Sequence, residues 1–388
     1  MSVNNMNFEQ AAAVLNSIRQ QVTGQTGIAP TSTADFVSVA TTTLKSGYDP
    51  VLNAITQMIG KTIFSIRPYS RKFKGVQVDN QKYGSITRKI ALADKAFTTD
   101  ERFTLTDGSS VDMYKVNKPN ALEVKFYGQD VYNKEYTIFR DQLDNAFRSP
   151  DEFASFMSMV TQNASDMIEQ VHESIARMII ANFIGGKISA TNGVIHALTE
   201  YNTETGQSLT ATTVYDPTNF PGFIKWLYAR VATLTSMMTE RTGLYQIQIT
   251  GKEIMRHTPL DRQKVYMLAP FLNEMNARVL ADAYHDDYLK YADVEAVNFW
   301  QAALSPDTIN VKPEYIDATG ALVTGSALSQ SKIIGVVFDE EALGYTTVHD
   351  WSATTPFNVK GGYWNVNHVF TEKWWNDFTE KGAVILLD

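Results

Sequence analysis

SPDEFASFMSMVTQNASDMIEQVHESIARMIIANFIGG, residues 149–186, decides the architecture. Ser149 is set as an N-cap, Pro150 takes the first helical position, and Asp151 and Glu152 occupy the first turn, so that Ser149 and Glu152 form a capping box. Apolar residues then recur at Phe153, Phe156, Met157, Val160, Ala164, Met167, Ile168, Val171, Ile175, Met178 and Ile179, the spacing of one buried helical stripe. Gly185 and Gly186 are expected to end it. At about 1.5 Å per residue the helix is roughly 50 Å long, more than the width of a compact domain. Apolar density rises all round from Met178 to Ile184, which breaks any heptad and predicts a helix crossing under a sheet rather than a coiled coil.

The flanks are read from this helix outward. Residues 1–48 form a polar, loosely tethered arm with one short amphipathic helix (Val14, Leu15, Ile18 and Val22). A short helix follows Asp49 and Pro50, then a strand at 62–66 and another at 130–139. Residues 67–130 show polar alternation with Asp107 and Gly108 as a turn, predicting a long hairpin with little core of its own. Beyond the long helix come a helix from Pro221 to about Thr242 and strands at 243–251, 264–270 and 294–300, with a helix from Phe271 to about Tyr284. This alternation indicates an α/β unit. Strands at 332–338, 345–349, 363–370 and 383–387 close the chain, the last expected to be fully buried.

Composition bounds the function. With 388 residues, 44% of them hydrophobic and 20% charged, the chain has ample core for two or three domains. The polar N-terminus predicts no export leader, and no run reaches the ~18 apolar residues that would span a bilayer, so no membrane association is expected. The absence of cysteine removes disulfides, thiolate metal sites and a Cys nucleophile. A net charge of −8 argues against a dedicated duplex-DNA binder. Charge is nevertheless segregated: from Arg67 to Lys95 eight basic residues face two acidic ones, a local balance of 8 − 2 = +6.

Candidate chemistry is sparse. His285, Asp286 and Asp287 are adjacent rather than spaced to face one ion, and a second His at i+4 is missing. His172 and Glu173 sit on the expected polar face of the long helix. Residues 320–326 have P-loop glycine spacing without the lysine, and the serine-hydrolase elbow is missing. No catalytic, metal or cofactor site is expected. The run RPYSRKFKG (67–75) is basic and aromatic but fits an interface-pairing face better than a nucleic-acid platform. Trp351, Trp364, Trp374, Trp375 and Phe378 are assigned to core or subunit contact.

This order of parts resembles the major capsid proteins of tailed bacteriophages, an α+β chain of the Hong Kong 97-type fold. PFLNEMNARVLADAYHDDYLKYADVEAVNFW (270–300) is similar to the A-domain helix and strand of short-tailed (podovirus) phages, and IIGVVFDEEALGYTTVHDWSATTPFNVKGGYWNVNHVFTEKWWNDFTEKGAVILLD (333–388) to their C-terminal ending. The resemblance implies an N-arm (1–48), a P-domain (49–66 and 131–200) with a spine helix at 150–184, an E-loop hairpin (67–130), an A-domain (201–330) and C-terminal strands (331–388) returning to both domains. It implies a non-enzymatic subunit of an icosahedral shell built of hexamers and pentamers around loosely contacted double-stranded DNA. A portal protein and a separate scaffolding protein are the implied partners, and the implied location is the virion, assembled in the host bacterial cytoplasm. Arg71, Lys72, Lys74, Arg88 and Lys89 are the candidate basic contacts to a neighbour's acidic surface, formed by Asp286, Asp287, Asp339 and Glu340. An encapsulin-like nanocompartment shell and a metal-dependent hydrolase at His285, Asp286 and Asp287 are the competing readings.

Overall fold

The computed structural model describes residues 7–24, 30–59, 72–78, 87–93, 100–116, 118, 120–279 and 293–388. The strand expected at 62–66 lies outside these residues. Three helices come first: α1 (Phe8–Thr23), α2 (Thr33–Lys45) and α3 (Tyr48–Ile59). Asn7 and Gln10 exchange side-chain and backbone bonds to cap α1, and Ser32 accepts from the Asp35 amide to start α2. The N-terminal segment is no loose tether. Leu15, Ile18, Phe36 and Ala40 are fully buried in one core with Leu52, Ile55, Phe153 and Met157. Small Ala11, Ala12 and Ala40 lie in that core beside the bulky Phe36, so a segment of modest hydrophobicity still packs at interior density.

The hairpin excursion contains β1 (Thr87–Leu92) and β2 (Ala121–Phe126), paired antiparallel from Thr87 opposite Phe126 to Leu92 opposite Ala121. The expected turn at Asp107 and Gly108 is local only. Gly108 takes a left-handed φ of 82° and Ser109 N–H donates to Thr106 O, but no strands flank it within residues 100–116. Next come β3 (Gln129–Phe139) and α4 (Arg140–Ala146), leading to the long helix α5 (Pro150–Ser189).

Ser149 Oγ accepts from the Glu152 amide and starts α5 as its sequence predicts. The helix does not stop at Gly185 and Gly186. It runs 40 residues, about 60 Å, because both glycines serve close packing rather than termination. A Cβ at Gly185 would sit 2.6 Å from Val311 Cγ2, and one at Gly186 would run into the Phe378 ring. The chain reverses afterwards, at Thr191 and Gly193, both with positive φ. Met178, counted on the buried stripe, is exposed.

After α5 follow β4 (Val194–His196), α6 (Ala197–Thr205), α7 (Phe220–Thr239), β5 (Gln263–Leu268), α8 (Ala269–Val279) and β6 (Asp293–Val297). The alternating segment 243–251 is not a strand. Ile247 and Ile249 are buried as the alternation requires, but the Ile247 amide donates to Phe378 O, and Gln246 and Gln248 reach the Ile254 carbonyl through their side chains. Side-chain amides replace a ladder. β7 (Ile309–Val311), β8 (Glu314–Ile316), β9 (Leu322–Thr324) and β10 (Leu328–Gln330) form two short ladders, β7 with β10 and β8 with β9.

β11 (Ile333–Asp339), β12 (Leu343–Thr354), β13 (Tyr363–Asn376) and β14 (Gly382–Leu386) finish the chain. Among the described residues one sheet runs β4-β14-β11-β5-β6, with β11 antiparallel to both neighbours and the outer pairs parallel. β11 and β14 are buried at every residue, as continuous apolar central strands should be. The second sheet runs β12-β13-β3. The first turns of α5 pack with α1–α3 and the long sheet, and its last turns pack Phe183 against Phe338 and Phe378 beneath the five-stranded sheet. One helix therefore joins two cores.

Candidate assembly surface

The hairpin leaves the body through residues 72–78 and returns at Gly128, and both passages are clamped. Phe73 is buried with a left-handed φ of 57°, a strained conformation for a bulky residue. Its ring meets Tyr266 edge-on at 5.3 Å and lies under the Arg177 guanidinium, which also stacks 3.7 Å over Phe299. Glu173 ties the pieces together. It pairs with Arg177 at 2.6 Å and accepts the Lys72 amide at 3.4 Å. Val78 N–H donates to Tyr345 O, and Trp374 N–H donates to Gly128 O, so close that a Cβ at residue 128 would stand 2.6 Å from the Trp374 carbonyl.

His172 and Glu173 are buried, not on a solvated face. The spine is covered on more than one side, by the sheet below and the hairpin root above. His172 Nε2 meets Glu372 Oε1 at 2.8 Å, where Thr347 Oγ1 also donates, and the His172 ring packs on Tyr345 and Phe370.

The candidate contact residues separate into two sets. Lys72 and Lys74 are exposed, and Arg88 is exposed with a loose pair to Glu123 on the neighbouring strand. Lys89 points the other way. Its ammonium lies 2.9 Å from Glu341 and 3.3 Å from Asp377 and is in close contact with Glu380, which also pairs with Arg256. Lys89 is thus spent inside its own subunit. Burial works against its charge, but the Asp377 and Glu380 charges and the hydrogen bonds outweigh it and hold the ammonium above the usual lysine range. Burial conversely pushes the Glu380 carboxyl up, opposed by Lys89 and Arg256. Arg71, Asp286 and Asp287, with His285, lie outside the described residues. Of the other expected acids, Asp339 is buried and accepts from Thr258 Oγ1, while Glu340 faces Arg262 at 3.4 Å.

Sequence reasoning missed the buried charges. Lys187, in the last turn of α5, is 0% exposed and donates to Tyr245 O at 2.7 Å and Asn192 Oδ1 at 3.3 Å. Burial depresses its pKa to about 7, with Asp377 pulling the other way. The run from Glu372 to Lys381 buries Glu372, Lys373, Asp377, Glu380 and Lys381 together. The available signal was a charged run, WWNDFTEKG, set between two apolar strands where a surface turn needs no aromatics.

The hairpin excursion leaves large apolar side chains uncovered. Ile90, Leu92, Phe103, Met113, Tyr114 and Val116 are 64–82% exposed. Six large apolar side chains uncovered within one excursion are what an interaction surface supplies. Among the described residues no group of three or more His, Asp or Glu side chains could hold a metal ion, and no helix is long and apolar enough to cross a membrane.

A family model described as Phi29-like phage major capsid protein matches residues 14–372. The fold is similar to a chain in the capsid structure of Staphylococcus phage Andhra, at 9% identity and a TM-score of 0.53, covering 84% of this chain and 87% of that one. It is also similar to a chain in the structure of head fiber and inner core protein gp22 of native bacteriophage P68, at 10% identity and a TM-score of 0.56, with the same coverages of 84% and 87%. No curated protein matches.

Proposed function

The chain belongs to the family of Phi29-like phage major capsid proteins, and on that premise we propose that its copies close, as hexamers and pentamers, around packaged double-stranded DNA in an icosahedral head. It is a structural subunit of the virion with the Hong Kong 97-type fold, and it self-assembles into a shell. A match over residues 14–372 favours neither a cargo nanocompartment nor a metal-dependent hydrolase.

The observation that carries the proposal is the hairpin: a clamped root supporting an apolar face that its own subunit leaves uncovered. In this reading residues 67–130 are the E-loop and reach a neighbouring copy. Residues 49–66 and 131–200 form the P-domain around the spine helix, 201–330 form the A-domain, and 331–388 serve both. Residues 1–48 are the N-arm, whose helices α1 and α2 pack on their own subunit. Lys72, Lys74 and Arg88 supply basic contacts to a neighbour's acidic surface, and Arg71, Asp286 and Asp287 are assigned to the same interface. A chain of net charge −8 suits a container that must not grip its DNA, since counterion release at every wall contact would oppose filling. A separate scaffolding protein and a portal complete the assembly, which takes place in the bacterial cytoplasm of a short-tailed phage's host.

The test is negative-stain electron microscopy of the purified chain with and without a co-expressed candidate scaffolding protein. Closed shells are expected, and shells from a Lys72→Glu, Lys74→Glu variant should be fewer and more salt-dependent. Discrete monomers under every condition would refute assembly.

A further inference from the structure

The β1–β2 ribbon has two faces of different character. Arg88, Ile90 and Leu92 face outward. Lys89, Leu122 and Val124 face the body of their own subunit. Leu122 and Val124 pack on Ile249 and Ile254 of the irregular segment after α7, and Asn120 Nδ2 donates to Gly251 O at 3.3 Å. This apolar seat comprises a few side chains, and a two-stranded ribbon has little stability of its own. The remaining hold is polar, a 3.4 Å hydrogen bond from Lys373 Nζ to Thr87 Oγ1 and an ion-pair cluster. Lys89 enters a socket of Glu341, from the turn after β11, and Asp377 and Glu380, from the turn between β13 and β14.

The socket is built for a cation from the ribbon. The side chains of Asp377 and Glu380 are 1% and 5% exposed. Asp377 Oδ1 is held by the Thr379 amide and hydroxyl, but its Oδ2 accepts no hydrogen bond and faces Lys89 at 3.3 Å. Arg256 also pairs with Glu380, at the same Oε1 that Lys89 meets, at 3.3 Å. Without Lys89, the buried Asp377 and Glu380 would lose the cation that touches both and keep only Arg256 in contact with Glu380 and the charge of Lys187 acting on Asp377, an arrangement that low-dielectric surroundings penalise. The ionic cost of undocking the ribbon is therefore concentrated in one side chain.

We infer that Lys89 is an internal latch, a positioning residue that fixes the direction of the hairpin on its own subunit before a neighbour is met. The inference rests on the capsid reading only for its consequence. A hairpin held at one angle presents its open apolar face at one angle to the next copy, whereas an undocked hairpin samples many.

The experiment combines amide hydrogen exchange on unassembled full-length subunits with electron microscopy of assembly. In Lys89→Met, amides of residues 87–92 and 121–126 should exchange about tenfold faster or more, with those of β11 and β14 unchanged. Lys89→Arg should restore protection, and Lys125→Met, which removes only a loose pair with Glu123 on the same ribbon, should leave ribbon exchange as in wild type. Because Lys89→Met strands two carboxylates, the variant Lys89→Met with Glu380→Gln keeps the test valid if the single variant is unstable: it recovers global stability while the ribbon still exchanges fast. Both latch-less chains should give fewer closed shells and more open or malformed ones. Ribbon exchange within about twofold of wild type overturns the latch. Fast exchange with normal shells overturns its role in assembly. Failure of the wild type to form shells would count against the capsid reading, and the exchange result would still decide the latch.

Discussion

Lys187 shows what a single buried charge does here. An unfolded lysine titrates near 10.4 and the folded one near 7, so between those values the unfolded chain binds more protons and the native state gains stability as pH rises. Below about pH 7 both forms are charged and the contribution is level. The unfolding free energy of unassembled subunits should therefore climb from pH 7 to 9 by up to ~1.4 kcal/mol per pH unit relative to Lys187→Met. Denaturant titrations across that range check it, and a difference between the two proteins that stays flat with pH removes Lys187 as the cause. Little of this was legible in the sequence. A lysine after Gly185 and Gly186 resembles the basic last turn of an ordinary helix end. Its burial depends on Tyr245 and Asn192, brought to it by the fold. The intrasubunit pairing of Lys89 was hidden for the same reason: strand alternation gives two faces but does not say which one lies against the acids of residues 377–380.

At the scale of elements, the spine helix was the most legible part and its end the least. Ser149, Pro150 and the apolar stripe announced the start, because caps and periodicity are local. Gly185 and Gly186 signalled a stop only in the absence of their neighbours. Val311 and Phe378 come from more than a hundred residues away and need the space a side chain would take. The two explanations predict opposite signs. If Gly186 marked a helix end or a solvated turn, Gly186→Ala would be neutral or gain up to about 1 kcal/mol in helix propensity. Pressed against Phe378, it should instead lose about 1–3 kcal/mol through overpacking, read by chemical denaturation of unassembled subunits. A gain in stability would show that the ring gives way. The segment 243–251 carries the same lesson: its alternation recorded burial correctly, but Gln246 and Gln248 took the hydrogen bonds that a ladder would have made.

For the whole molecule, the order arm, hairpin, spine, α/β unit and closing strands was legible because it is a sequence of lengths and signals. Pairing within the two sheets was not. β13 pairs with β3 across more than two hundred residues, and β4 joins β14 in parallel, associations that no local pattern encodes. The molecule that results buries Glu173 and Arg177 at the root of the hairpin and leaves large apolar side chains of the excursion uncovered, which is the reverse of what a monomer needs. The shell account depends on that face being covered by a second copy, so the face itself is the place to test it. Met113 and Tyr114 are 81% and 82% exposed, and replacing both with Asp should leave subunit stability within about 0.5 kcal/mol, as surface changes usually do. Sedimentation velocity of the Met113→Asp, Tyr114→Asp chain beside wild type, under conditions where wild type closes, is the most direct measurement. The account predicts folded subunits or small oligomers and no shells. Shells of normal size and yield would contradict it.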